Sequence, residues 1–418
     1  MKRSWPLLTL STFVALAGLH VAAQSGAGRV FLVGPSELLE LDPATFVPGN
    51  RVPLPREAGA AGDLTVNRAG QALFSPAADD KPLWICDGRA PRPIERGARR
   101  GASAAWATSA AAARPPLCVL SADGRALYWF QNEFRTTTPR AAAPAAPAVS
   151  VTTTFRAWRT DLLGRAPSPI ASFSFPPCRC ETGACEETCP EAQAWSPEGG
   201  IDDFFLVSRW IPGQIGATYQ SSAVYRRAGL AWTEARLAVP LETVLDAALG
   251  GRLIVHAVND SGCCGWMNES GDRTLLLRDG RDVPLFDERE EYANDDYDVS
   301  FYTPAAKLSP AGRAVAMTVA STWRDGDEIR LSADGKADAA ELDRIRRAAA
   351  DLPAVVIVTL GPGGPGRAVR IPRAELVGWL DEDRLLVART DGTFEAWPTH
   401  ASRGTRVRLP AGARVLVR

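Results

Sequence analysis

The sequence predicts an all-β, closed propeller of seven four-stranded blades. Three observations predict it: a turn phrase that recurs before apolar runs, short strands that group in fours, and a first unit that lacks one strand while the last has one to spare. The fullest copy of the phrase is Ser309-Pro310-Ala311-Gly312, between Lys307-Leu308 and the apolar run Ala314 to Val319. Ser-Pro opens a turn and glycine accepts positive φ, so the phrase reads as strand, tight turn, strand. Other copies are Asn67-Arg68-Ala69-Gly70 before Leu73-Phe74, Ser121-Ala122-Asp123-Gly124 before Leu127 to Phe130, and Ser196-Pro197-Glu198-Gly199 before Phe204 to Val207. Leu380-Asp381-Glu382-Asp383 precedes Leu385-Leu386-Val387, and Asn268-Glu269-Ser270-Gly271 before Leu275-Leu276-Leu277 is a weaker member.

Residues 28–55 hold three strands: Arg29 to Val33, Glu37 to Leu41, and Asn50 to Pro55, whose prolines suit an outer edge. The second unit centres on Leu64-Thr65-Val66, Leu73-Phe74 and Leu83 to Cys86. Residues 97–116, rich in Ala, Arg and Gly, form a short helix or an exposed connection ended by Pro115-Pro116. The third unit runs from Leu117 through Phe130, crosses the Ala/Pro-rich loop 136–150, and continues at Val151 to Trp158. Residues 169–175 either finish it or open the next unit. After the cysteine-rich loop 176–191 comes the fourth unit, with Ala223 to Arg227 and Glu234 to Val239.

Pro240 to Leu249 reads as a short helix ended by Gly250-Gly251. Arg252 to Val258, Leu275 to Leu277 and Val283 to Phe286 are the strands that follow. Beyond the acidic bridge 287–298, strands fall at Ala314 to Val319, Glu328 to Leu331 and Val355 to Leu360. A helix over 337–351, inside the insertion 336–352, is marked by Leu342, Ile345 and Ala349 at helical spacing. Four strands separated by turns fill 374–410. Residues 412–417 add a fifth, which would complete the three-stranded first blade and leave no open edge. Six blades follow instead if 28–55 is only a lead-in.

Composition narrows the function classes. The chain has 418 residues, 46% hydrophobic and 23% charged, with formal net charge −1. No basic excess exists to grip nucleic acid. Lys2 and Arg3, the mostly apolar stretch Pro6 to Leu19, and Val21-Ala22-Ala23 together read as a secretory signal over 1–23, with 24–418 as one propeller domain. No later stretch is long and apolar enough to cross a membrane. Export places the chain in the periplasm or outside the cell, where an even number of cysteines favours disulfides. The candidates are Cys86, Cys118, Cys178, Cys180, Cys185, Cys189, Cys263 and Cys264.

Cys178-x-Cys180-x4-Cys185-x3-Cys189 is read as a disulfide-clamped loop, since the spacing fits no strong zinc pattern. Cys263-Cys264 lies between Gly262 and Gly265, with Trp266, Asn268 and Glu269 close behind. Those five residues, Cys263, Cys264, Trp266, Asn268 and Glu269, form the candidate interaction surface. The acidic bridge 287–298 does not match a helix–loop–helix calcium site, and a solvated loop explains it. His256 and His400, the two histidines after the leader, have no evident nucleophile partner, and no Gly-x-Ser-x-Gly elbow is present. No catalytic residue, cofactor or metal is assigned.

The Ser-Pro-x-Gly phrase before an apolar strand, seen at 196–199 and 309–312 and closely at 121–124, resembles the periplasmic propellers related to TolB. It also resembles the wider WD40-like bacterial repeats. The α/β domain that precedes the TolB propeller has no counterpart here, so the resemblance is structural. It implies a propeller, a fold that serves binding platforms, peptidase-associated rings and sugar-active enzymes. The expectation is an exported binding module for an envelope or secreted protein, or a glycan. The alternative is a hydrolase or lyase acting on glycan or peptide through carboxylates at the channel. Expressed in an export-competent host, the mature chain should begin at Gln24; intact mass or N-terminal sequencing checks this, and Ala23→Arg should abolish the cleavage.

Overall fold

Seven antiparallel sheets succeed one another along the chain, and the last segment returns to complete the first. The structure, a computed structural model, describes residues 28–56, 62–76, 82–94, 112–113, 117–137, 149–180, 190–196, 201, 203–211, 218–259, 272–287, 299, 301–322, 329–331, 338–410 and 413–418. Blade 1 holds β1 (Val30–Val33), β2 (Glu37–Leu41) and β3 (Pro48–Pro53), and β30 (Arg414–Val417) pairs with β1. Val30 lies opposite Val417 and Val33 opposite Arg414. The three-stranded start and the spare last strand thus share one blade. Seven blades form, and 28–55 is no lead-in. The prolines of β3 sit on a sheet edge, as expected.

Blade 2 is β4 (Gly62–Val66), β5 (Ala72–Pro76), β6 (Leu83–Cys86) and β7 (Arg92–Ile94). Blade 3 is larger. Its two central strands, β10 (Ala126–Thr137) and β11 (Val149–Asp161), pair along twelve residues. On one side β10 takes β9 (Leu117–Leu120) and the fragment β8 (Ala112–Ala113). On the other side β11 takes β12 (Ser168–Ser174) and β13 (Cys178–Cys180). Residues 169–175 therefore finish blade 3.

Blade 4 is β14 (Ala192–Trp195), β15 (Phe204–Ile211), β16 (Thr218–Ala228) and β17 (Ala231–Arg236). Blade 5 is β18 (Thr243–Ala248), β19 (Leu253–Asn259), β20 (Asp272–Arg278) and β21 (Arg281–Asp287). Blade 6 is β22 (Phe301–Leu308), β23 (Ala314–Ser321), β24 (Ala354–Gly361) and β25 (Gly364–Ile371). Blade 7 is β26 (Ala374–Trp379), β27 (Arg384–Arg389), β28 (Phe394–Pro398) and β29 (Thr405–Val407). The helix α1 (Ala339–Ala350) lies between β23 and β24, capped by Asp338, whose carboxylate accepts from the N–H groups of Ala340 and Glu341.

Three expectations are corrected. Pro240 to Leu249 is not a helix: it contains β18, which its blade needs as a first strand. There the register shifts between Val244 and Asp246, and Asp246 accepts the Leu308 N–H at 2.6 Å. Gly250 and Gly251, at φ 66° and 74°, make the turn into β19 instead of ending a helix. The weak copy at 268–271 falls between β19 and β20, before a third strand, so it is no counterpart of the others. Leu331 forms only an isolated bridge, and Ile329 and Arg330 are in no strand.

The core is divided among the blade interfaces. Seven apolar clusters each join two neighbours. Phe31, Leu38, Val66 and Phe74 bind blades 1 and 2, while Leu73, Ile85, Trp129 and Trp158 bind blades 2 and 3. Phe130, Phe155, Phe205 and Tyr225 bind blades 3 and 4, and Phe204, Val224, Ile254 and Leu277 bind 4 and 5. Val255, Phe301, Val315 and Met317, covered by Ile345 of α1, bind 5 and 6. Ala316, Ile357, Trp379 and Leu385 bind 6 and 7, and Val30, Leu386, Phe394 and Val417 close the circle between 7 and 1. Alternation along each strand sends successive side chains to opposite neighbours.

The recurring turns join first to second strands and also touch the next blade. Ser121 Oγ accepts the N–H groups of Arg125 and Ala126, both at 3.0 Å, and Ser309 Oγ accepts those of Arg313 and Ala314. Asn67 Nδ2 reaches across to the Ser121 carbonyl at 2.9 Å. Ser309 Oγ donates to Glu382 Oε1 at 2.7 Å, joining the turns of blades 6 and 7. A Cβ at Gly124 would overlap Gln71 of blade 2, and one at Gly312, φ 67°, would fall 2.6 Å from Leu253 of blade 5. Gly88, φ 86°, meets nothing within 4 Å. Gly88→Ala should therefore cost only the backbone strain, about 1 kcal/mol. Gly312→Ala should lose about 1–3 kcal/mol more through overpacking, as read by urea unfolding.

Candidate functional site

Because strands alternate in direction, every first-to-second and third-to-fourth turn lies on one face of the ring. Every second-to-third connection and every crossover between blades opens on the other. The first face has short turns, such as 42–47, 229–230, 279–280 and 362–363, and its longest connection is 196–203. Onto the opposite face open the strand ends that flank 95–111, 138–148, 181–191, 260–271, 288–300 and 322–353. The candidate site is built where the described residues form a pocket at this second face.

The pocket lies where blades 3 and 4 meet. Against β10, β9 pairs Leu117 with Phe130, and β8 pairs Ala113 with Glu133. Leu117, Phe130, Gln131, Asn132 and Phe155 of blade 3, with Ala192 and Ala194 of blade 4, enclose about 140 Å³.

Asn132 holds the two blades together at this point. Its Nδ2 donates to the Ala192 carbonyl at 2.7 Å, and its Oδ1 accepts the Ala192 N–H at 3.1 Å. Behind the pocket lies an aromatic assembly. Phe130 and Phe155 stack at 6.4 Å, Phe155 and Phe173 at 5.2 Å, and Phe205 and Tyr225 at 4.7 Å. Arg209 sits over Phe173 at 4.1 Å and donates to Glu234 at 3.2 Å. Tyr225 donates to the same carboxylate at 2.7 Å; burial, then that bond, pushes its hydroxyl pKa above the ordinary value.

The other face of β10 carries Glu133, whose side chain is 9% exposed and accepts from Arg156 Nε at 2.8 Å. Its Oε1 has no hydrogen-bond partner. Among the described residues, no three of His, Cys, Asp or Glu gather as metal ligands, and no helix is long and apolar enough to cross a membrane.

The candidate surface Cys263, Cys264, Trp266, Asn268 and Glu269 lies outside the described residues, as does the leader. The strands that flank the surface, β19 and β20, end on the long-connection face. Cys178 is disulfide-bonded; the side chains of Cys180, Cys185 and Cys189 lie outside the described residues. Cys86 and Cys118 are thiols, correcting the expectation that they are bridged. Cys86 packs between blades 1 and 2 and Cys118 against the cluster between 2 and 3, so blade 2 separates them. Burial, with the Asp87 charge beside it, pushes the Cys86 thiol up to about 12. His256 is fully buried, with Nε2 3.0 Å from Asp282 Oδ1, a packed position. The pocket itself was missed by sequence reasoning, because its walls come from segments far apart in the chain.

No protein-family model and no curated protein sequence matches the chain. Among solved structures it is similar to hydrazine synthase of Kuenenia stuttgartiensis, at 12% identity and TM-score 0.36, over 80% of this chain and 76% of that one. It is also similar to an oligogalacturonate lyase of Vibrio parahaemolyticus, at 10% identity and TM-score 0.29, over 69% and 87%. A third is prolyl oligopeptidase B of Galerina marginata, at 11% identity and TM-score 0.24, over 76% and 46%.

Asn132→Ala should lower stability by about 1–3 kcal/mol, because it leaves the Ala192 N–H and carbonyl unpaired. Asn132→Asp keeps the acceptor and loses the donor while ionised. Below about pH 4 the protonated acid can donate again, so its deficit relative to wild type should shrink on acidification. Urea unfolding at pH 7 and pH 4 checks both.

Proposed function

We propose that this chain is an exported propeller of the TolB-like or WD40-like repeat type that binds a protein of the cell envelope or extracellular space. Its binding face is the one onto which the long connections open. The observation that carries this reading is the asymmetry of the two faces. A ring needs only short turns to join its strands, and one face has little else. The opposite face carries connections far longer than closure requires, among them the segments holding Cys185, Cys189, Cys263, Cys264 and Trp266. Loops displayed on a rigid scaffold are where recognition is ordinarily built. A disulfide at Cys178, at the root of one such segment, supports a stiffened loop there. A glycan is the other ligand class this face would suit, through Trp266.

A second reading, a hydrolase or lyase with carboxylates near the channel, is favoured by one observation, the buried Glu133 with an unbonded oxygen beside Arg156.

Photocrosslinking separates the faces. A benzoylphenylalanine replacing Thr137, exposed at the far end of β10, should capture a discrete partner in cells that export the full chain. One replacing Leu230, which is 99% exposed on the short-turn face, should not. Capture only from Leu230, or from neither position, would overturn the reading.

A further inference from the structure

Three consecutive blades carry the same pair of side chains at a tip of the short-turn face. Leu163 stands in the turn between β11 and β12 of blade 3, Leu230 between β16 and β17 of blade 4, and Leu249 between β18 and β19 of blade 5. They are 42%, 99% and 51% exposed. Each has an exposed arginine two or three positions away along the chain: Arg165, Arg227 and Arg252. We propose that these tips seat the ring on an anionic lipid surface, the leucines entering the headgroup layer and the arginines meeting lipid phosphates. The long connections then face away from the membrane. Seating on lipid concerns the face opposite the protein contact inferred above, and either can hold without the other.

The ring does not require leucine at these positions. Turn tips ordinarily take Gly, Asn or Asp, and a side chain as exposed as Leu230 adds nothing to a core. Leu249 sits at φ 53°, in the left-handed region that bulky side chains avoid. Exposed apolar residues scattered singly are ordinary. Three on consecutive blades of one face, each beside an arginine, form a pattern. Arg227 Nε donates to the Gly229 carbonyl at 3.0 Å, which holds the guanidinium at the turn that carries Leu230. Arg226 Nε donates to the Gly250 carbonyl at 2.6 Å and so ties blade 4 to the turn that carries Leu249. Two carboxylates near the tips are already engaged. Asp161 accepts the N–H groups of Leu163 and Arg165 at 2.9 and 2.7 Å, and Asp279 lies 3.7 Å from Arg278.

The form of the display decides the occupant. The leucines project from three separate sheets, so one surface must meet all of them at once. A bilayer does this without matching pockets. Its headgroup layer admits protruding apolar side chains, and its phosphates attract arginine, the two contributions that hold a protein at a membrane interface. A protein surface would need a pocket for each tip, and the anchors of protein interfaces are chiefly tryptophan, tyrosine and arginine, with leucine under-represented.

Co-flotation with vesicles tests the seating, on the exported chain freed of its leader. Vesicles of equal parts phosphatidylglycerol and phosphatidylcholine should carry the chain, and vesicles of phosphatidylcholine alone should carry about tenfold less. Leu163→Ser, Leu230→Ser and Leu249→Ser combined should reduce flotation about tenfold. Arg165→Gln, Arg227→Gln and Arg252→Gln combined should remove most of the preference for the anionic vesicles. Leu230→Ser alone, at a position outside every apolar cluster, should reduce flotation severalfold with an unchanged urea midpoint. No flotation of the unaltered chain, or equal flotation of the leucine variants, overturns the proposal. Benzoylphenylalanine at position 230 gives a check that needs no loss of binding: irradiated with the anionic vesicles, the chain should gain the mass of one phospholipid. A discrete protein captured there in cells, in place of lipid, overturns the seating. Loss of capture from position 137 with flotation intact removes the protein-binding face and leaves the lipid contact standing.

Discussion

No blade of this protein has a core of its own. Each sheet is apolar on both faces and buries each face against a different neighbour, so every cluster of the interior is shared by two blades. A single four-stranded sheet so composed would expose both faces to water, at about 1.5–3 kcal/mol for each large apolar side chain uncovered. The consequence is topological. A row of such sheets has two unburied ends, and only a circle has none. β30 resolves this by giving its backbone to blade 1 and its side chains to both interfaces there: Val417 packs toward blade 7, and Leu416 toward blade 2.

The turns serve the same constraint. Asn67, Ser121 and Ser309, at the heads of three copies, each bond the backbone that follows, and Gly70, Gly124 and Gly312 leave room for a side chain of the preceding blade. Gln71 fills that room at Gly124, and Leu253 fills it at Gly312. Direct bonds between adjacent turns, Asn67 to the Ser121 carbonyl and Ser309 to Glu382, fix the rotation of one sheet against the next. The face built from these turns is thus committed to holding the ring. The other face has no such duty, which is why the chain can place long insertions there without disturbing the blades.

This division explains what was legible in the sequence. The fold could be read because the turn chemistry is local: a serine, a glycine and the apolar strand after it lie within ten residues. Closure could be read from the missing and spare strands. Residues 240–249 were misread because Leu241, Leu245 and Leu249 repeat at a helical spacing. The contact that makes the segment a strand, Asp246 with Leu308, spans 62 residues. The thiol state of Cys86 and Cys118 was misread for a related reason: pairing depends on which side of blade 2 each side chain faces, and an even count does not contain that. The pocket was hidden because its walls come from Leu117, Phe130, Phe155 and Ala192, brought together only by strand register and blade contact.

Blade 3 combines these effects. Its central hairpin is the longest in the ring, and at its outer end the sheet stops obeying the pattern. On its outer side β12 gives way to β13, where Cys178 is bridged. Asn132 binds both backbone groups of Ala192 and so ties blade 3 to blade 4 at this end of the hairpin. Those two bonds stand beside the apolar cluster that the same two blades share, so at this interface a polar contact with fixed geometry adds register to the non-directional packing.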